Sequence, residues 1–201
     1  GGLATTREEI HSAYRLIANR HSPLLRFMAH LHVPMLEGLR IAVEIVLNSE
    51  IRSQFESDHL DVERVRSLLA ECLATKVTLD RDHIAYACKS YFDRLSERLL
   101  KTPEDVDLLR RLIEAAKLIP ELPFEINLWK PQNVYFEISQ SIRPEWSKRA
   151  RQGDEAAKLW ERLIVEFGEA LGFAIHAEPQ VHDGAPTEAD KPEEALLVTA
   201  G

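Results

Sequence analysis

Pro123-Phe124-Glu125-Ile126-Asn127-Leu128-Trp129-Lys130-Pro131-Gln132-Asn133-Val134-Tyr135-Phe136 lies between two long stretches that repeat apolar residues at helical spacing. It follows neither pattern, and two prolines bracket it. Proline lacks a backbone N–H, so it is tolerated in the first turn of a helix, where that group has no intrahelical acceptor. The run therefore divides into an irregular connector, Leu122 to Lys130, and a short helix from Pro131 to about Ser141. Asn127, Trp129, Lys130, Gln132 and Asn133 fall in the connector and first turn, with Tyr135 just beyond. Amides donate and accept at once, and an aromatic ring offers apolar area with few rotamers to lose. Such a mixture suits the wall of a cleft that holds a polyhydroxylated ligand, for example a sugar chain. The other reading puts Trp129 in the core at a helix–helix corner, with the amides capping backbone groups.

Outward from this run, helix signals recur in both directions. Thr102-Pro103-Glu104-Asp105 reads as a start, with Thr102 capping and Pro103 in the first position, followed by Val106, Leu109, Leu112, Ile113 and Ala116 until Pro120. Downstream, Arg143-Pro144 opens a segment carrying Trp146, and Gly153-Asp154 breaks and recaps the chain. A last helix shows Leu159, Trp160, Leu163, Ile164, Phe167 and Leu171 on one face, with Gly172 as its stop. Towards the N-terminus, Asp80 and Asp61 each cap a helix. Val33-Pro34 begins a long apolar helix expected to run through the centre, with Leu36, Leu39, Ile41, Ala42, Ile45, Val46 and Phe55. Ser22-Pro23 and the capping box Thr6-Arg7-Glu8-Glu9 start two more. Strand alternation is almost absent. The expected fold is all-α, a multi-helix bundle of roughly eight helices by these start and stop signals. The helical domain spans residues 3–173, and residues 174–201, with Pro179, Gly184, Pro186 and Pro192, read as a disordered acidic tail.

The chain has 201 residues, 45% hydrophobic and 29% charged, with a formal net charge of −8. That charge speaks against nucleic acid as a partner, since phosphate binding needs a basic face. The tail concentrates it: Glu178, Asp183, Glu188, Asp190, Glu193 and Glu194 stand against Lys191 alone. No apolar run is long enough to cross a bilayer, so no membrane is expected as a partner, and no signal peptide opens the chain. Gly1-Gly2 in place of Met reads as a processed product or a piece of a longer protein. Cys72 and Cys88 fall within predicted helices, which suits a reduced, cytoplasmic protein with buried thiols.

Catalytic signatures are sparse. His30 and His32, with His21 nearby, lie two apart and point different ways on a helix, so no metal or other cofactor is expected. Cys72 and Cys88 have no CxxC spacing and no evident activating base. The acid pairs Glu8/Glu9, Glu104/Asp105 and Asp154/Glu155 all fall in first turns, where they complement the helix dipole. Glu125 and Glu137 flank the Trp129 run and are the acids closest to it.

Phe124-Glu125-Ile126-Asn127-Leu128-Trp129-Lys130-Pro131-Gln132-Asn133, followed by Tyr135, resembles the helical domain of unknown function that follows the catalytic barrel in proteins related to glycoside hydrolase family 57. The run from Thr6 to Leu47 is also similar, and the likeness covers roughly Leu3 to Phe173. The resemblance implies an accessory domain whose partner is the catalytic barrel of an α-glucan-processing enzyme, with the catalytic carboxylates on that barrel. It implies that Asn127, Trp129, Gln132 and Asn133 face the substrate cleft, that Lys130 orients the loop, and that an α-glucan is the ligand. It implies no catalytic residue in the chain itself. The alternative is a structural or protein-interaction helical module.

Overall fold

A computed structural model describes residues 37–173 without a break, together with residues 12, 13, 15, 16, 20, 23, 27 and 28. The described residues form seven α-helices: α1 Glu37–Glu56, α2 Val62–Thr75, α3 Arg81–Lys101, α4 Val106–Leu118, α5 Trp129–Ser141, α6 Arg143–Arg151 and α7 Glu155–Ala170. A 3-10 turn, Ile119–Glu121, follows α4, and no strand occurs among these residues. The all-α expectation holds, with seven helices in place of eight. The two helices expected to start at Thr6 and Ser22 fall outside the described residues, apart from isolated positions. The start at Val33-Pro34 and the tail from residue 174 lie outside them as well.

Aspartate caps set four of the starts, three of them where the sequence placed them. Asp61 accepts from the Arg64 N–H at 2.9 Å. Asp80 accepts from the His83 N–H at 3.4 Å and lies 2.8 Å from the same residue's Nδ1. Asp154 takes the N–H groups of Ala156 and Ala157 at 3.0 and 3.1 Å. Each cap contributes about 1 kcal/mol by satisfying a donor that the helix leaves open.

Two boundaries differ from expectation. The cap of α4 is Asp105, accepting from the Leu108 N–H at 2.9 Å, and not Thr102. Thr102 instead closes α3, its N–H and hydroxyl both donating to the Arg98 carbonyl at 3.0 Å. The Pro103 carbonyl is occupied by the Trp160 indole N–H at 2.6 Å, so α4 begins only after this turn. Helix α5 begins at Trp129, two residues ahead of Pro131, which still lies in the first turn and removes no intrahelical hydrogen bond.

The core is contiguous. α3 buries Ile84, Cys88, Tyr91, Phe92, Leu95 and Leu99 and packs against α1, α4 and α5. α1 does not run through the middle of the described bundle. It packs on α2 and α3, burying Val43, Val46, Leu47, Ile51 and Phe55, while Ile41 and Ile45 from the expected stripe are exposed. Arginine–carboxylate pairs on its outer face, such as Arg40 with Glu37 and Glu44, hold that side polar. α7 packs against α4, α5 and α6 through Trp160, Leu163, Ile164 and Phe167. The ring of Trp146 in α6 lies 5.0 Å from that of Trp160, and the Arg149 guanidinium sits 4.5 Å over Trp146.

α5 crosses α7 at Gly168, where a Cβ would stand 2.6 Å from both Cζ and Oη of Tyr135. Gly168→Ala is therefore expected to lower stability by about 1–3 kcal/mol through overpacking. It would be read as a fall in the urea midpoint at unchanged slope. Gly38→Ala, at a site where a Cβ meets nothing within 4 Å, should show no such loss.

Candidate functional site

The first turn of α5 has few helix-capping options, because its N-cap residue, Leu128, offers no side-chain acceptor. Asn127 fills this role from one residue back, its Oδ1 accepting the Trp129 N–H at 2.9 Å. The Trp129 ring does not plug the core and is 70% exposed. Lys130 is paired with Glu97 of α3, and this contact holds the Glu97 carboxyl below its ordinary range and the lysine above its own. Gln132 donates from Nε2 to the Leu171 carbonyl at 3.1 Å, so its amide closes the C-terminal end of α7. Asn133 is exposed and has no hydrogen-bond partner among the described residues. Tyr135 is buried at 7% exposure, stacked on Phe173 at 5.0 Å and edge-on to Phe167 at 6.2 Å.

The six residues thus divide by helical phase. Pro131, Val134, Tyr135 and Ile138 form the buried face of α5. Trp129, Asn133, Phe136 and Gln140 recur at the same spacing on the opposite side, and all four are exposed. Phe136, 61% exposed, gives this outer edge a second aromatic ring. The composition of the run signalled Trp129, but only the helix phase separates Asn133 and Phe136 from Tyr135. Glu125 and Glu137 are both exposed.

Away from the α5 edge, a concavity carries no signature in the sequence. A cleft of about 550 Å³ opens between the α1–α2 loop and α4, lined by His59, Leu60, Tyr91, Arg110 and Arg111 and equally by the carboxylates of Asp61, Glu63 and Glu114. Burial pushes the Tyr91 phenol above its usual pKa, and the neighbouring Arg111 and Arg94 guanidiniums oppose that rise. Arg110, Arg111 and Glu114 are brought to it by the turn repeat of α4, while His59 and Leu60 come from a loop some fifty residues earlier. That separation hides the cleft from motif reading.

Cys72 and Cys88 are buried and free, with burial raising their thiols to about 11 and about 12 respectively. Neither is poised as a nucleophile. Asp105 and Asp154 act as caps, and Glu155 pairs with Lys158 at 2.7 Å. No cluster of three potential metal ligands occurs among the described residues, and His21, His30 and His32 lie outside them. No helix among the described residues is long and apolar enough to cross a membrane.

Because Trp129 is solvated and Trp160 is enclosed, the two indoles should respond oppositely to truncation. Trp129→Ala is expected to change stability by less than about 1 kcal/mol, whereas Trp160→Ala should cost about 3–5 kcal/mol. Thermal melts of the two variants check this. The chain matches no family model, no curated protein and no solved structure.

Proposed function

We propose that this chain is an accessory helical domain of an α-glucan-processing, family 57-like enzyme, working beside a catalytic barrel in the cytoplasm. The observation that supports this reading best is the outward edge of α5, where Trp129 stands 70% exposed with Asn133 and Phe136 along the same line. A flat indole gives the apolar face of a sugar ring something to stack on, and a free amide can both donate to and accept from its hydroxyls. The two contacts lie one helical turn apart, about 6 Å, which is close to the span of a single sugar unit. Asn127, Lys130 and Gln132 act from behind, fixing the first turn, the α3 side and the α7 end that hold this edge in place. Tyr135 acts as the packing anchor beneath it. The barrel supplies the carboxylates for the chemistry, and this domain positions the glucan.

A second reading, a protein-interaction module without a sugar site, draws support from the same engagement of Asn127, Lys130 and Gln132 within the chain. Fluorescence separates the two, because Trp160 is enclosed, Trp146 is half-buried against it, and Trp129 is the exposed indole that meets an added ligand first. Titration with maltohexaose is expected to quench or blue-shift the emission saturably, and Trp129→Ala should abolish the change while leaving the melting temperature near that of the parent. A flat response up to about 10 mM, weaker than any useful accessory site, would favour the interaction module.

A further inference from the structure

α6 is the most basic of the seven helices, with Arg143, Lys148, Arg149 and Arg151 against Glu145 alone. We propose that its outward face docks the acidic C-terminal tail of the same chain, and that the carboxylates from Glu188 to Glu194 make the contact. This contact uses α6 and not the outward edge of α5, so it stands independently of the glucan reading.

Ser147 and Ala150 are the buried residues of α6. Helical spacing then turns Lys148 and Arg151 outward on one strip, and both are exposed. Neither has an ion-pair partner among the described residues, and the same holds for the half-buried Arg143. The acids of the neighbouring α7 are engaged. Asp154 holds Arg149 at 2.7 Å, Glu155 holds Lys158 at 2.7 Å, and Glu166 meets Lys117 at 2.7 Å. Glu161 accepts from the Ser147 hydroxyl at 2.5 Å. Glu145 is the one carboxylate of α6 itself, so the outward face keeps a surplus of positive charge in a chain whose net charge is −8.

The tail is complementary in charge and starts within reach. Its carboxylates are Glu178, Asp183, Glu188, Asp190, Glu193 and Glu194 against Lys191, with the last four crowded between residues 188 and 194. Phe173, the residue from which it leaves, is stacked on Tyr135 at 5.0 Å. From Tyr135 the chain runs to the end of α5 at Ser141 and enters α6 at Arg143. That half of α5 and the whole of α6 measure about 9 Å and about 13 Å along their axes. Fifteen residues join Phe173 to Glu188 and extend to at most about 50 Å, so the acidic cluster reaches the last turn of α6 with length to spare. Exposed ion pairs are individually weak and are screened by salt. A tethered partner, however, meets its face at an effective concentration on the order of millimolar, and several charges then act together. Held there, the tail covers α6 against other anions, and an acidic partner has to displace it.

The test is paramagnetic broadening of amide signals in the full chain, with a nitroxide attached through Ala189→Cys. Cys72 and Cys88 are buried, with thiols raised to about 11 and about 12, and stay unlabelled at neutral pH. The amides of Lys148, Arg151 and Gln152 are expected to lose intensity about twofold or more at about 20 mM salt and to regain it at about 500 mM, where the screening length is only about 4 Å. Neutralising the tail with Glu188→Gln, Asp190→Asn, Glu193→Gln and Glu194→Gln should remove the loss. Lys148→Glu with Arg151→Glu should remove it too, and the tail variant carries the test if the helix variant does not fold. No sugar is present, so this result is separate from that of the maltohexaose titration. Broadening that is absent from α6, centred on the α5 edge, indifferent to salt or retained by the neutral tail would overturn the proposal. So would broadening in a mixture of nitroxide-bearing chains and isotope-labelled chains without nitroxide, because the tail on α6 would then belong to a second copy.

Discussion

The enclosed indole of Trp160 is the contact on which the arrangement depends. A buried ring carrying an N–H must find an acceptor or forfeit much of what its burial contributes. Here the acceptor is the Pro103 carbonyl, in the turn that joins α3 to α4. Proline itself has no N–H to satisfy, so this turn can face the bundle without leaving a donor stranded. One side chain of α7 thereby fixes the turn that aims α4, and its ring packs against Trp146 to hold α6. Around that point, Lys117 of α4 reaches Glu166 of α7 at 2.7 Å across the surface. An exposed pair of this kind adds little energy, so register follows from the indole and the apolar faces around it.

The same economy explains the connector before α5. A segment of seven residues without regular structure, 122–128, precedes the helix. The amide of Asn127 serves a backbone N–H at the start of α5, and that of Gln132, in the first turn, serves a carbonyl at the C-terminal end of α7. Their neighbours Trp129 and Asn133 are then left on the outside, where helix phase puts them. The division between supporting and displayed residues in this short run comes from a rotation of about 100° per residue.

Much of the fold was legible in the sequence. Asp61, Asp80 and Asp154 announce helix starts because a short carboxylate just ahead of a periodic run has one favourable use. The face of α4 through Leu109, Leu112 and Ile113 and that of α7 through Trp160, Leu163 and Phe167 are buried as their spacing required. Thr102-Pro103 misled because the same Thr can close one helix or open the next, and a tertiary contact from a residue 57 positions away decides between them. The apolar helix ending at Phe55 has two hydrophobic sides, and periodicity alone does not say which one the rest of the chain covers. Trp129 was ambiguous for the same reason. α5 carries aromatic residues on both faces, and what selects the inner one is Gly168, the residue of α7 with room for a phenol. The Arg111 cleft was not legible at all, since its walls meet only after α1, α2 and α4 have packed.

The notch at Gly168 has a consequence for the outer edge of α5. With Tyr135 seated in it, sliding the helix by one position along α7 would drive the phenol into Phe167 or Glu169. The two helices are geared together like a tooth and its slot. Trp129 and Phe136 are therefore presented at a fixed spacing before anything meets them, and little ordering entropy remains to be lost at that encounter.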